Sequence, residues 1–133
     1  MKKKVDPRHR RRQLAIKELF AQSFIKHNKL PRAKSPRYSR PSDSLVLAKS
    51  VIKGQEQINK IIKKTAPVWP IEQINKIDLA ILQLAIYELE KGREPVKVII
   101  DEAIELAKEF GSESSSAFVN GVLAKIIEEK NLD

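Results

Sequence analysis

The sequence predicts an all-α protein, on three observations. Apolar residues recur at the three- and four-residue spacing of a buried helix face through most of the chain. Proline and glycine stand at the ends of those stretches. No segment alternates apolar and polar residues with the β-branched and aromatic enrichment of a strand. At 133 residues the chain fits one compact domain, or two half-domains sharing a core, and a chain of this size buries roughly two-thirds of its surface on folding.

The first helix is predicted to start at Asp6-Pro7, with Asp6 as N-cap and Pro7 in the first helical position, where its missing N–H is no loss, and to run to His27. Ile16, Leu19, Phe20 and Phe24 fall on one face, while Arg8, Arg10, Arg11 and Arg12 crowd the first turns. Cations there oppose the helix dipole and repel one another, at roughly a few tenths of a kcal/mol each. A purely structural reading does not explain that cost. Residues 29–41 hold three prolines and five cations and read as a basic loop. Ser42 and Asp43 open a second helical stretch with Leu47, Val51, Ile58, Ile61 and Ile62 on one stripe; Gly54 either breaks it or lets it pack closely. Thr65 to Pro70, around Trp69, reads as a hinge near the middle of the chain, with Trp69 fitting a plug between halves better than a base platform.

Ile77 to Leu89 is apolar on most of its circumference through Leu79, Ala80, Ile81, Leu82, Leu84, Ala85 and Ile86, the pattern of a central buried helix. Gly92 ends it and Pro95 opens the next helix at its first position. There Ile99, Ala103, Leu106, Ala107 and Phe110 are expected to point inward and Asp101, Glu102, Glu105 and Glu109 outward. Gly111 is the expected C-cap and Ser112 the following N-cap; the last helix carries Val119, Val122, Leu123 and Ile126 on one face.

The net charge of +9 is unevenly spread. Residues 1–40 hold 14 Lys and Arg against two acids, a net of +12, and the remaining 93 residues hold 12 basic and 15 acidic side chains, a net of −3. A polycationic end on a mildly acidic body reads as a footprint for a polyanion, nucleic acid ahead of an acidic membrane surface, or as a solubilising tail. The absence of cysteine excludes disulfides, thiolate zinc sites and thiol nucleophiles and suits a reducing compartment, with the cytoplasm as the expectation. The basic start, Met1 to Arg12, is followed by no apolar signal region, and no run of about 18 apolar residues occurs, so neither secretion nor a membrane span is expected. With four glycines, no phosphate-cradling loop, no histidine pair at ligand spacing and no nucleophile motif, neither an enzyme nor a cofactor is expected.

Four segments of the second half resemble, in order and spacing, signatures of the NusB family. They are Trp69-Pro70-Ile71-Glu72-Gln73, Ile77-Asp78-Leu79-Ala80-Ile81-Leu82-Gln83-Leu84-Ala85-Ile86-Tyr87-Glu88-Leu89, Pro95 to Lys108, and Phe118-Val119-Asn120-Gly121-Val122-Leu123. The first half agrees through its arginine-rich start and amphipathic first helix. The resemblance implies two packed helical bundles, residues 1–66 with the basic loop and residues 67–133, together forming one domain. It also implies a transcription antitermination factor that pairs with NusE, a small-subunit ribosomal protein. The pair grips boxA-type single-stranded RNA and works with other Nus factors near RNA polymerase on ribosomal RNA operons. Gln73 and Gln83 stand where the family usually has arginine, Asp101 where it has asparagine, and Ala117 where a lysine often precedes the Phe-Val-Asn-Gly run. The loop cations Arg32, Lys34, Arg37 and Arg40 could compensate for that lost charge.

RNA needs cations for its phosphates and flat groups for unstacked bases. Lys2, Lys3, Lys4, Arg8, His9, Arg10, Arg11 and Arg12 are candidates for the first. Phe20, Phe118 and Tyr38 are candidates for the second, although Phe20 also fits the core stripe and Phe118 precedes a core valine. For a basic protein partner, Asp78, Tyr87, Glu88, Asp101 and Glu105 are the electrostatic candidates, each of which also fits an ordinary solvated face. Two competing functions remain at this point: an RNA-presenting NusB-like domain of a ribosomal-RNA methyltransferase, and a protein-only scaffold.

Overall fold

A computed structural model describes residues 6–28, 43–66 and 70–130. Lys2, Lys3, Lys4, Tyr38, Trp69 and the basic loop of residues 29–41, on which expectations were placed above, lie outside the described residues. The described residues form six helices and no strand, as the spacing predicts: α1 (Pro7–Asn28), α2 (Asp43–Lys53), α3 (Gln55–Thr65), α4 (Lys76–Lys91), α5 (Val96–Phe110) and α6 (Ser115–Lys130), with a 3₁₀ turn over Ile71–Gln73 before α4.

Local chemistry sets the helix ends. Asp6 caps α1, its Oδ1 accepting from the Arg8 backbone N–H at 2.8 Å, with Pro7 directly behind it. Gly54 divides α2 from α3, ending the long second helix that the sequence left open. Asn75 caps α4 by accepting from the Ile77 N–H at 2.9 Å, and Gly92 closes that helix at φ 65°, a left-handed conformation that favours glycine. Pro95 is the residue before α5 and not its first member. At the α5–α6 corner Gly111 is the C-cap as expected, its N–H donating to the Ala107 carbonyl at 2.9 Å, whereas the helix start shifts. Helix α6 starts at Ser115, not after Ser112, and the Ser115 hydroxyl accepts from the Ser112 N–H at 2.9 Å. A Cβ on Gly111 would lie 2.3 Å from the Ser115 Oγ and 2.7 Å from the Ala107 carbonyl oxygen, so this glycine is set by close approach.

Helix α4 is the hub and packs against α1, α2, α3, α5 and α6. Ala80, Ile81, Leu82, Leu84, Ala85, Ile86 and Leu89 are all buried along it, which is why its apolar residues surround the helix and do not form a stripe. They join one continuous core with Ile16 and Leu19 of α1, Val51 of α2, Ile58 and Ile62 of α3, Ile99 and Leu106 of α5 and Val119, Leu123 and Ile126 of α6. Burying each such side chain contributes roughly 1.5–3 kcal/mol before entropy is set against it. One expected core member leaves the stripe: Phe24 is 42% exposed, with its ring edge-on to Phe20 at 4.8 Å. Among the described residues no helix is long and apolar enough to cross a membrane.

Candidate nucleic-acid interface

The arginine-rich start of α1 is divided by helical geometry into two sides. His9 and Arg12, three residues apart, turn toward the C-terminal half, whereas Arg8, Arg10 and Arg11 are exposed. Arg12, expected as an RNA contact, is instead 3% exposed and held by three carboxylates. Its Nε and Nη2 donate to the two oxygens of Glu88, both at 2.8 Å, Nη2 also donates to Glu94, and Nη1 lies 3.5 Å from Glu102. Burial by itself would push a guanidinium toward neutrality. The hydrogen bonds and charge of Glu88, with the charges of Glu94 and Glu102, outweigh it, and Arg12 is held above its ordinary pKa. A guanidinium this enclosed is not presented to a phosphate.

His9 is likewise corrected from a phosphate contact to an internal one. Its Nδ1 lies 2.6 Å from Glu102 and its Nε2 is paired with Glu109, which also accepts from Gln13. Carboxylates only accept, so this bracket calls for hydrogens on both ring nitrogens, the imidazolium form. Burial opposes that charge, the two glutamates outweigh it, and the pKa of His9 is raised. Glu102 and Glu109, expected on the solvent face of α5, therefore face α1. Glu88, expected to meet a protein partner, is the main anchor of Arg12. What remains outward is cationic: Arg8 is 73% exposed and only 3.8 Å from Glu94, and Arg10 reaches no further than Gln13, at 3.4 Å.

The aromatic candidates are half-buried. Phe20 packs against Phe24, and Phe118 lies against the core from α6. The other partner candidates do not converge. Asp78 sits in the first turn of α4, 7% exposed, and among the described residues its Oδ1 has no hydrogen-bond partner. Tyr87 lies toward the other end of the same helix, with the Lys91 Nζ 5.5 Å from its ring centre. Asp101 is exposed and pairs with Lys97 at 2.9 Å, holding that lysine above its ordinary pKa, and Glu105 is exposed. Gln83, where the family signature carries arginine, is buried; it donates to Asn59 at 2.9 Å and accepts from Gln55 at 3.3 Å, tying α4 to α3.

Sequence reasoning missed the anchoring glutamates. The three-residue spacing of His9 and Arg12, matched to the outward arginines between them, was the available signal for an inward side. Nothing local identified its carboxylate partners, which come from 76 to 100 residues away.

A sequence profile described as the NusB family matches residues 9–128. The transcription antitermination protein NusB of Dehalococcoides mccartyi is 33% identical over 126 residues, covering 90% of this chain and 88% of that protein. The one from Roseiflexus castenholzii is 36% identical over 129 residues, covering 90% and 91%. The solved structure of T. maritima NusB superposes with a TM-score of 0.76 at 30% identity, over 95% of this chain and 94% of that one. A NusB chain solved with NusE and dsRNA shares the fold at a TM-score of 0.67 and 19% identity, over 93% of this chain and 99% of that one. With the profile spanning nearly all of its length and relatives this similar across nine-tenths of it, the chain belongs to the NusB family.

Proposed function

We propose that this protein is a transcription antitermination factor that binds boxA-type single-stranded RNA together with NusE and supports transcription of ribosomal RNA, by assembly and not by catalysis. The observation that carries the reading is the outward arginine face of α1, Arg8, Arg10 and Arg11, on a chain of the NusB family. Relatives of similar length are named transcription antitermination proteins, and a NusB chain of the same fold has been solved with NusE and RNA. Three exposed guanidiniums within about one helical turn supply phosphate neutralisation, the sequence-independent part of RNA affinity. Phe20 and Phe118 are the base platforms in this reading, each half-buried and so able to present one ring face while packing with the other. Asp101 and Glu105, exposed on one face of α5, are the members of the partner set that face solvent and would meet a basic protein, Asp101 by exchanging its Lys97 partner. Lys2, Lys3 and Lys4 extend the cationic end.

The test is a binding titration of the full chain against a boxA strand, a scrambled strand and an RNA duplex, each with and without NusE, at several salt concentrations. The expected result is salt-dependent binding that favours the boxA strand and tightens when NusE is added. No binding to any RNA at low salt, with NusE present, would leave a protein-only scaffold in its place.

A further inference from the structure

A groove of about 740 Å³ opens where the start of α1, helix α2 and the α4–α5 turn meet. Four cations line it: Arg8 and Arg11 from α1, Lys91 from the end of α4, and Arg93 from the turn that follows. They come from opposite halves of the sequence, so no local charge run explains their meeting. Among the described residues neither Arg11, Lys91 nor Arg93 has a carboxylate partner, and Arg8 is only loosely placed at 3.8 Å from Glu94. Two carboxylates, Glu88 and Glu94, line the groove as well, and both are engaged by the buried Arg12. With four cations against two carboxylates the lining is net positive, and the groove faces solvent as a cationic channel.

Its walls are not purely ionic. The half-buried ring of Tyr87 lines the groove, with the Lys91 ammonium over it, and Val46 and Val98 are 51% and 39% exposed at its edges. Cations tracking a backbone, with an aromatic ring and apolar surface for bases and riboses, is the combination that binds a single-stranded nucleic acid. The groove is also continuous with the outward arginine face, because Arg8 and Arg11 belong to both.

We infer that the RNA strand continues from the α1 arginines through this groove onto the C-terminal half, with Lys91 and Arg93 as phosphate contacts and Tyr87 as a base platform. This inference rests on the RNA-binding reading above and extends it to residues that neither the charge map nor the signature segments singled out for RNA. It also moves Tyr87 from the protein-partner set to the RNA path. Lys91 keeps its place over the Tyr87 ring while its remaining donors turn toward a phosphate.

The test compares the parent protein with Lys91→Ala/Arg93→Ala and with Tyr87→Leu. The probe is a boxA-type single-stranded oligonucleotide read by fluorescence anisotropy between about 50 and 200 mM salt. Both exposed cations can be removed without disturbing the core. The double variant is expected to bind roughly tenfold or more weakly, with a logarithmic salt slope about 1.4 smaller, for two contacts at about 0.7 each. Tyr87→Leu is expected to lose roughly fivefold to a hundredfold in affinity with the slope retained, as loss of a stacked base requires. Should the double variant match the parent while Arg8→Ala/Arg10→Ala/Arg11→Ala loses binding, the groove is off the RNA path and the RNA-binding reading stands. A parent that ignores RNA overturns both. If a leucine-containing Glu/Asp-rich peptide binds the parent, fails with the double variant and leaves RNA binding unaltered, the groove belongs to an acidic protein segment and the inference is wrong.

Discussion

The inward and outward sides of the first turns of α1 are made of the same residue type and do opposite work. Arg12 is enclosed by Glu88, Glu94 and Glu102, and with His9 it bolts α1 to α4 and α5; Arg8, Arg10 and Arg11, one residue to either side, stay in solvent. Four arginines in five positions therefore do not amount to four phosphate contacts. A cluster of cations costs helix stability wherever it lies. On the inward side that cost is offset by carboxylates from the other half of the chain, and on the outward side it stays open for a ligand to offset. The division also implies a dependence: the inward side fixes the orientation of the helix that carries the outward one.

Breaking the inward side should have the largest effect. Arg12→Ala leaves Glu88, Glu94 and Glu102 clustered without their shared cation, and a loss of about 3–5 kcal/mol is expected, read as a shift in the urea midpoint. Arg10→Ala in the same assay should stay within about 0.5 kcal/mol. Equal effects from the two would erase the distinction between the sides.

The His9 bracket should contribute less and in a pH-dependent way. Its folded pKa is raised above the ordinary 6.5. Its stabilisation is therefore fully present below that ordinary value and is lost as pH rises through the folded value. Stability of the parent relative to His9→Gln, followed between about pH 5 and pH 9, should accordingly be greatest at the acid end and narrow toward the alkaline end. A gap that widens with pH would mean that His9 is held neutral.

Removing the outward side should barely alter the fold. Arg8→Ala/Arg10→Ala/Arg11→Ala is expected to unfold within about 1 kcal/mol of the parent, while its RNA salt slope falls by up to about 2. A retained slope would assign these arginines to simple solvation.

Much of this fold is legible from sequence because its determinants are local. The all-round apolar run from Ile77 to Leu89 could only be a central helix, and Asp6-Pro7 and Gly92 marked helix ends through the chemistry of their own backbones. Where a boundary depended on packing, the reading slipped: Ser112 gave way to Ser115 because the hydroxyl at 115, beneath Gly111, reaches back to the backbone. The site was harder. Glu88, Glu102 and Glu109 read as solvated charge, since nothing near them in sequence announces Arg12 or His9, and Lys91 at the end of α4 and Arg93 in the turn after it meet Arg8 and Arg11 only through the helix folded beside them. Charge asymmetry pointed to one end of the molecule, and tertiary pairing decided which of its cations remain available.

The clearance at Gly111, too small for a single methyl group beside the Ser115 hydroxyl, works like a mitred joint. The angle between the last two helices is cut to the size of one hydrogen atom, so the position of Phe118 relative to the face of α5 follows from a corner that no other residue can occupy unchanged. A graft or insertion here would swing the final helix as a lever, moving its far end by several times the displacement at the corner.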